Sequence, residues 1–427
     1  MKKLLVLGGT RISCEIIRKA KEMGMYVVVT DYNPPEQSPG KLIADESFMV
    51  SCTDVDEVVE LIRREKIDGV TVGFADVLLP YYAEICRKAG LPSYGTKEQF
   101  DIFINKDRYK SLLRKYDVPT VEEYTINPND FENSARDIRY PVLVKPADSS
   151  GARGITICEN VTQLREAYDK AASFSRTGKV LVEQYLTGLE VTVFWTFKDG
   201  NYTLSGVANR HVKQRQDGGV IPLPVGYTFP AAVTMSYMET TAEKCREMFN
   251  SIGIRDGMMF MQCKVENGDC IVYDIGYRLT GSLEYKLFKR ACGYDPLEML
   301  ITFSVSDCMG EKNVPIPADP LFPGVWPFNV SILSAPGIIR EIRGLDTVQQ
   351  MSSVIDVVVS HPPGDEITPA MKGLLAQITV RVLGVVSRKE DLYPVMHEIE
   401  ESIEIISETG ENLRLPGMEP SDINAVL

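Results

Sequence analysis

Short apolar runs alternate with amphipathic stretches along the first ninety residues. The run at 3–7, Lys-Leu-Leu-Val-Leu, predicts a buried strand closed by the turn Gly8-Gly9-Thr10. Apolar positions three and four apart predict a helix over 13–23 that stops at Gly24, and a β-branched run predicts a strand over 26–30 closed by Asp31. Strands at 47–50 and 69–72 and helices at 55–65 and 79–89 extend the pattern. That order implies a parallel sheet with helices on both faces. An acid after the second strand is what a ribose-binding dinucleotide site uses, which makes Asp31 a candidate for NAD. The glycine spacing argues against it: Gly8 and Gly9 are adjacent, Ser13 follows, and G-x-G-x-x-G is absent.

The pattern then changes. Asn105 is a helix cap in front of Lys106, with Leu112 and Leu113 as the apolar positions, and the helix ends before Val118-Pro119. Val142, Leu143 and Val144 predict a buried strand that stops at Lys145-Pro146. The segment Asp148-Ser149-Ser150-Gly151-Ala152-Arg153-Gly154 separates it from a strand at 155–158. A lysine beside such a loop is suited to gripping phosphate. Gly151 and Gly154 let the backbone approach an anion, Ser149 and Ser150 donate, and Lys145 supplies a point charge. An ordinary surface hairpin with a solvated lysine is the alternative. A helix at 162–172 and a strand at 180–183 follow, then Glu183-Gln184-Tyr185-Leu186-Thr187-Gly188-Leu189-Glu190, which turns and returns as a strand at 191–197. Backbone groups at such a tip can pair with a purine edge, and Glu190 can accept from ribose hydroxyls. A hairpin with charged ends is the plainer alternative.

Runs at 258–265 and 270–277 flank Glu266-Asn267-Gly268-Asp269 and predict a hairpin. A two-residue Asn267-Gly268 loop pairs Met261 with Asp274, mixing apolar and charged residues on one face. A three-residue loop pairs Met261 with Ile275, Cys263 with Tyr273 and Val265 with Ile271, and sets Gln262 opposite Asp274 with Gly276 and Arg278 on the same polar face. The three-residue register is the expectation. Between the hairpins, after a strand at 202–207, Asn209-Arg210-His211-Val212-Lys213-Gln214-Arg215 is the most basic short stretch, followed by the turn Asp217-Gly218-Gly219. Arg210 and His211 are candidates to hold a carboxylate substrate or reach a γ-phosphate; a solvated loop is the alternative. His361 and His397 lack partners that point to chemistry. Strands at 326–333, 337–342, 354–359 and 377–387 and a helix at 390–405 predict a separate β-rich cap with no assigned chemistry.

Composition narrows the classes. A chain of 427 residues exceeds one core, and a net charge of −13 lacks the basic footprint that nucleic acid or an anionic membrane needs. Nine cysteines occur with no C-x-x-C pair, so no zinc site or disulfide framework is expected, and the cytoplasm is the simplest compartment. The opening apolar run is too short for a signal peptide, and no stretch reaches the length of a membrane span.

Four signatures in one order, the helix-starting Lys106, the V-x-V-K-P strand with its Ser/Gly loop, E-Q-Y-L-x-G-x-E, and the acid-and-arginine strand Asp274 to Arg278, together resemble the ATP-grasp superfamily, which includes biotin carboxylase and the carbamoyl phosphate synthetase large subunit. The resemblance covers about residues 1–308. It implies an α/β and α+β multidomain chain: a Rossmann-like parallel domain at 1–96, an ATP-grasp domain of two small antiparallel subdomains at 97–308 with a nucleotide lid near 120–186, and the β-rich cap at 309–427. By resemblance Lys106 and Lys145 contact ATP phosphates, residues 149–154 close over them, Glu183 with the backbone of Gln184, Tyr185 and Leu186 reads adenine, and Glu190 binds ribose. Asp274 and Gln262 hold magnesium, and Arg278 stabilises the transferring phosphate and acyl centre. The pattern departs from the family at two positions. Gln262 stands where most relatives carry an acid, and Gly276 where they carry an asparagine. The implied function is an ATP- and magnesium-dependent ligase that makes an acyl phosphate from a small carboxylate for attack by an amine, with a homodimer as the oligomeric expectation. An ATP-binding protein with a weakened metal site and no turnover is the alternative, and an NAD-dependent oxidoreductase a third.

Overall fold

The structure, a computed structural model, describes residues 1–147, 154–213 and 223–419. Its N-terminal sheet follows the hydrophobic pattern closely. Strands β1 (Lys3–Leu7), β2 (Tyr26–Thr30), β3 (Glu46–Phe48) and β4 (Gly69–Val72) are parallel in the order β3-β2-β1-β4. Helices Ser13–Glu22, Val55–Glu65 and Leu79–Ala89 cover it. The strand order reverses between β1 and β4, so the loops after these two strands flank the crevice where doubly wound sheets take ligands. The turn after β1 serves packing. Asp31 accepts from the amides of Gly9 (2.9 Å) and Asn33 (2.8 Å), and a Cβ on Gly9 would lie 2.1 Å from Ser38 Oγ. Asp31 is therefore a backbone acceptor of its own turn, in line with the glycine spacing that argued against the ribose contact weighed for it.

A second, smaller sheet has its own core. Strands β5 (Glu123–Tyr124), β6 (Val142–Pro146), β7 (Thr156–Cys158) and β8 (Val180–Gln184) are antiparallel in the order β5-β8-β6-β7. Helix Val161–Phe174 packs on it, with Val142, Val144, Leu164, Ala167, Val182 and Phe131 in the interior.

The third sheet runs across the expected seam at 309. Strands β9 (Leu189–Lys198), β10 (Asn201–Lys213), β11 (Leu223–Thr228), β12 (Gly257–Glu266) and β13 (Asp269–Gly276) continue without a break into strands of the tail. The tail supplies β14 (Trp326–Leu333), β15 (Gly337–Arg343), β16 (Val354–Val359), β17 (Glu366–Ile367), β18 (Ile378–Val386) and β19 (Glu404–Ser407). One antiparallel sheet runs β13-β12-β9-β10-β11-β14-β18-β16, while β17-β15-β19 form a small sheet beside it. The tail thus supplies three of the eight strands of the sheet that also carries β12 and β13. The described part of the basic strip is strand: β10 runs through Lys213, backbone pairing to β11 claims residues 209–213, and Gln214 and Arg215 lie outside the described residues. Residues 217–219, expected as a turn, lie outside the described residues.

The β12–β13 hairpin combines both registers weighed from sequence. At the tip Glu266 pairs with Asp269 across a two-residue turn, and Val265 pairs with Cys270. A bulge on β13 then inserts Tyr273, so that Gln262 faces Asp274, Met261 faces Ile275 and Phe260 faces Gly276. The expected pairs of Cys263 with Tyr273 and Val265 with Ile271 do not form. An Asn-Gly tip favours two residues, while burial of Met261 demands the longer register, and one extra residue reconciles the two. Beyond it, Gly276 has a steric reason: a Cβ there would lie 2.4 Å from the Phe260 ring, which itself lies 4.9 Å under the Arg278 guanidinium.

That contact makes the glycine testable. Gly276→Asn should cost about 1–3 kcal/mol by overpacking and lower the melting temperature, while the same change in a Phe260→Ala background should cost clearly less. Equal costs in the two backgrounds, measured by denaturant unfolding, would show that the ring is not the obstacle.

Candidate functional site

Helix Lys106–Lys115 begins where the sequence predicts, with Asn105 Oδ1 accepting from the Arg108 amide at 3.1 Å. Its buried face docks twice. The Tyr109 hydroxyl donates to the carbonyl of the bulge residue Tyr273 (3.0 Å), and Lys110, fully buried, reaches Glu123 Oε1 (2.6 Å) and Glu183 Oε1 (2.5 Å) on the small sheet. The helix therefore joins the hairpin to the small sheet, and its first residue projects into the gap.

That gap is a cavity of about 310 Å³ lined by Lys106, Lys145, Glu183, Gln184, Tyr185, Leu186, Glu190, Arg210, Gln262 and Asp274, with Val121, Leu143 and Ile155 as an apolar wall and Lys264 and Tyr273 at the rim. Lys106 and Lys145, 39 positions apart by their numbers, share it. Gly154 sits beside it with φ +75°, a conformation suited to glycine, and a Cβ there would meet Pro146 at 2.9 Å. Ser149, Ser150 and Gly151 lie outside the described residues.

The charges in the cavity are arranged unlike the simplest expectation. Glu183 does not offer a free carboxylate to a base: Oε2 takes Lys145 (2.6 Å) and Oε1 takes Lys110. Burial alone would raise the Glu183 carboxyl, but the two lysines overcome it and hold it below the usual range. Lys145 is pushed down, first by burial and then by the like charges of Lys106 and Lys110, against the pull of Glu183. Two cations on one anion account for Glu183, whereas burial comes first for Lys145. At the strand tip, the Gln184 and Tyr185 amides donate to the carbonyls of Glu122 and Pro141 (2.9 Å each). Among the described residues the Leu186 amide makes no hydrogen bond, which leaves it as the donor of the three expected to face a base.

Glu190 is similarly committed. It pairs with Arg210, lies 3.1 Å from Lys264 and accepts from the Tyr273 hydroxyl at 3.2 Å. Arg210 therefore lines the cavity with its guanidinium already paired to Glu190 and does not stand as an open anion site. His211 points to the opposite side of β10, is buried, and shares a hydrogen bond with Thr228 Oγ1 at 2.9 Å. Alternation along a strand separates two neighbours that the sequence had grouped, so the structure corrects His211 as a substrate contact.

Gln262 and Asp274 face each other across the hairpin. Asp274 makes no hydrogen bond or ion pair among the described residues, and burial pushes its carboxyl above the usual value against the pull of Lys106, Arg278 and Lys145. Arg278 is outside the cavity lining. Its Nε and Nη2 donate to both oxygens of Asp76 (2.7 and 2.6 Å), on the loop after β4. That salt bridge joins the hairpin to the crevice of the N-terminal sheet.

Sequence reasoning missed a polar band beyond these residues. One face of the long sheet carries Asp274, Gln262, Glu190, Arg210, Tyr227, Asn329, Ser331 and Arg381 in successive strands. Arg210 donates to the Tyr227 hydroxyl (3.2 Å), Asn329 to the Ser282 carbonyl (2.5 Å) and Arg381 to Ser331 Oγ (2.8 Å). Glu284, just after Arg278, is buried with Oε1 unpartnered, and burial raises its carboxyl. Polar residues on alternate positions of β14 and β18 were the available signal, once those strands were known to continue this sheet.

Residues 138–283 match the family model for an ATP-grasp domain. The chain is 28% identical over 232 residues to the 2-oxoglutarate carboxylase small subunit of Hydrogenobacter thermophilus, covering 50% of this chain and 49% of that protein. It is 23% identical over 264 residues to the carbamoyl phosphate synthase large chain of Clostridium acetobutylicum, covering 61% of this chain and 24% of that one. The chain thus spans about half, or a quarter, of the length of these curated relatives. Among solved structures, the biotin carboxylase domain dimer of the Hydrogenobacter thermophilus carboxylase, in complex with MgADP, ADP and bicarbonate, superposes with a TM-score of 0.77 at 20% identity over 96% of this chain and 91% of that chain. An L-amino acid ligase from Bacillus licheniformis gives 0.75 at 17% identity over 96% of this chain and 99% of that chain. The order of elements, the cavity between two antiparallel sheets and the match over 138–283 agree: residues 138–283 are similar to an ATP-grasp domain, and the chain shares its fold with a biotin carboxylase domain and an L-amino acid ligase.

Proposed function

We propose that the protein is an ATP-dependent ligase that activates a small carboxylate as an acyl phosphate and passes it to an amine or similar nucleophile. The observation that carries the reading is the meeting of Lys106, Lys145, the strand tip at 184–186 and Asp274 in one cavity. The apolar wall of Val121, Leu143 and Ile155 suits the faces of a base, and the Leu186 amide its edge. The two ammonium groups suit a triphosphate, with residues 149–154 assigned to close over it.

Magnesium fits this cavity as a companion of the nucleotide. Asp274, free of protein partners among the described residues, is the one carboxylate placed for it, with the Gln262 carbonyl oxygen as a neutral ligand, and magnesium is commonly held by one or two carboxylates plus phosphates. When bound it would neutralise charge on the transferring phosphoryl group. Arg278 is positioned by Asp76 and offers its remaining N–H groups where charge develops on the acyl side. No nucleophilic side chain is required: positioning and charge stabilisation suffice. The carboxylate and the nucleophile are assigned to the polar band beyond Arg278, and a homodimer, the state named for the Hydrogenobacter domain, belongs to the same proposal.

The lone carboxylate opposite Gln262 favours one rival, a nucleotide-binding protein without turnover. ADP release that requires both a carboxylate and an amine supports the ligase. An ATP-induced rise in melting temperature with no ADP released across a broad carboxylate and amine panel supports the rival, and protection by NAD but not ATP overturns both.

Lys145→Met should weaken ATP binding about ten- to a hundredfold, the size of one lost hydrogen bond to a charged group, with adenosine binding little changed in calorimetry. The pH dependence has a definite sign. Because the folded protein holds the Lys145 ammonium below the ordinary 10.5, the charge that grips phosphate is lost before that pH is reached. ATP affinity should fall along an alkaline limb whose midpoint lies under 10.5, and Lys145→Met should remove that limb.

A further inference from the structure

We propose that Lys110 is a positioning residue for the triphosphate: by sharing Glu183 with Lys145, it leaves the Lys145 ammonium available to an incoming anion. This rests on the ATP reading above and goes beyond it, since Lys110 lies outside the cavity lining.

Lys110 follows Lys106 by four residues on the same helix and so lies on the same face, one turn further in. It is 0% exposed, yet both its acid partners belong to the small sheet: Glu183 on β8 at 2.5 Å and Glu123 on β5 at 2.6 Å. Glu183, 2% exposed, in turn holds Lys145 on β6 at 2.6 Å. Arg114, one more turn along the helix, closes the cluster on Glu123 Oε2 at 2.7 Å.

Charge accounting gives the cluster its purpose. Around Lys145 lie Glu183 on β8, Lys106 and Lys110 on the helix, and Asp274 on β13. If Lys110 were neutral, Glu183 would be a buried anion with Lys145 as its sole counter-ion, and moving that ammonium onto a phosphate would strand the carboxylate, which a low-dielectric interior strongly opposes. With Lys110 in place, Glu183 stays paired whichever partner Lys145 chooses. The arrangement also explains why so costly a group as a fully buried lysine stands on this helix.

The test compares Lys110→Met and Lys110→Arg with the parent for binding of ATP and of adenosine by calorimetry, across pH. Lys110→Met should lose at least tenfold in ATP affinity while adenosine affinity stays within about twofold, and its alkaline limb should move to higher pH because Lys145 loses a like-charged neighbour. Lys110→Arg, which keeps the charge, should restore most of the ATP affinity. An unchanged ATP affinity and limb, or an equal loss for adenosine, overturns the proposal. Should Lys110→Met not fold, Glu123→Gln decides. Turning Lys110 wholly onto Glu183 should loosen Lys145 and raise ATP affinity, and a fall or no change overturns the proposal. Failure of the parent protein to bind ATP at all would instead sink the functional reading on which this one rests.

Discussion

One buried carboxylate holds the nucleotide side of this molecule together. Glu183 binds two ammonium groups from different elements, Lys145 on its own sheet and Lys110 on the helix that leads into it. Two cations on one anion would be costly in a dry interior, and the cluster is tolerable because Glu123 and the cavity share the load. The same geometry fixes the position of the helix start, and so of Lys106. Through Tyr109 it also ties the helix to the bulge that aligns Gln262 with Asp274. Phosphate-binding and metal-binding expectations thus depend on one local electrostatic arrangement.

A second constraint is the continuity of the long sheet. Because the strands of the tail extend the sheet that floors the cavity, polar side chains on β14 and β18 share a face with Asp274. Arg381 is buried with Ser331 as hydrogen-bond partner, and burial pulls its guanidinium below the ordinary value. The charges and dipoles facing it, Glu284 and the Tyr227 hydroxyl beside Ser331, are what make a buried arginine tolerable on this sheet. The Arg278–Asp76 fork works across the same region, coupling the crevice of the N-terminal sheet to the end of the hairpin.

How much of this was legible in the sequence follows from what patterns encode. Period and burial are local, so strands such as Lys3–Leu7, Val354–Val359 and Trp326–Leu333 come out residue for residue. The order of four short motifs pointed to the family and to residues that do line one cavity. Pairings between distant charges were not legible: Lys110 and Glu183 are 73 residues apart and Arg278 and Asp76 are 202 apart, and no period reports them. The basic strip misled for a related reason. Arg210 and His211 are adjacent in the chain but opposed on a strand, and a charge run shows density without direction. The hairpin tip and the buried face each specified a register correctly, and only the bulge at Tyr273 shows how both are satisfied.

The two departures from the family pattern are best understood together. Gln262 and Gly276 both lie on the polar face of the hairpin, and Phe260, opposite Gly276, fills the space that a larger side chain there would need. The ring also supports Arg278 from below, so the small residue at 276 and the aromatic platform under the guanidinium share one space. A neutral Gln262, where the resemblance led to an acid, leaves less negative charge in the cavity that Lys106 and Lys145 also line.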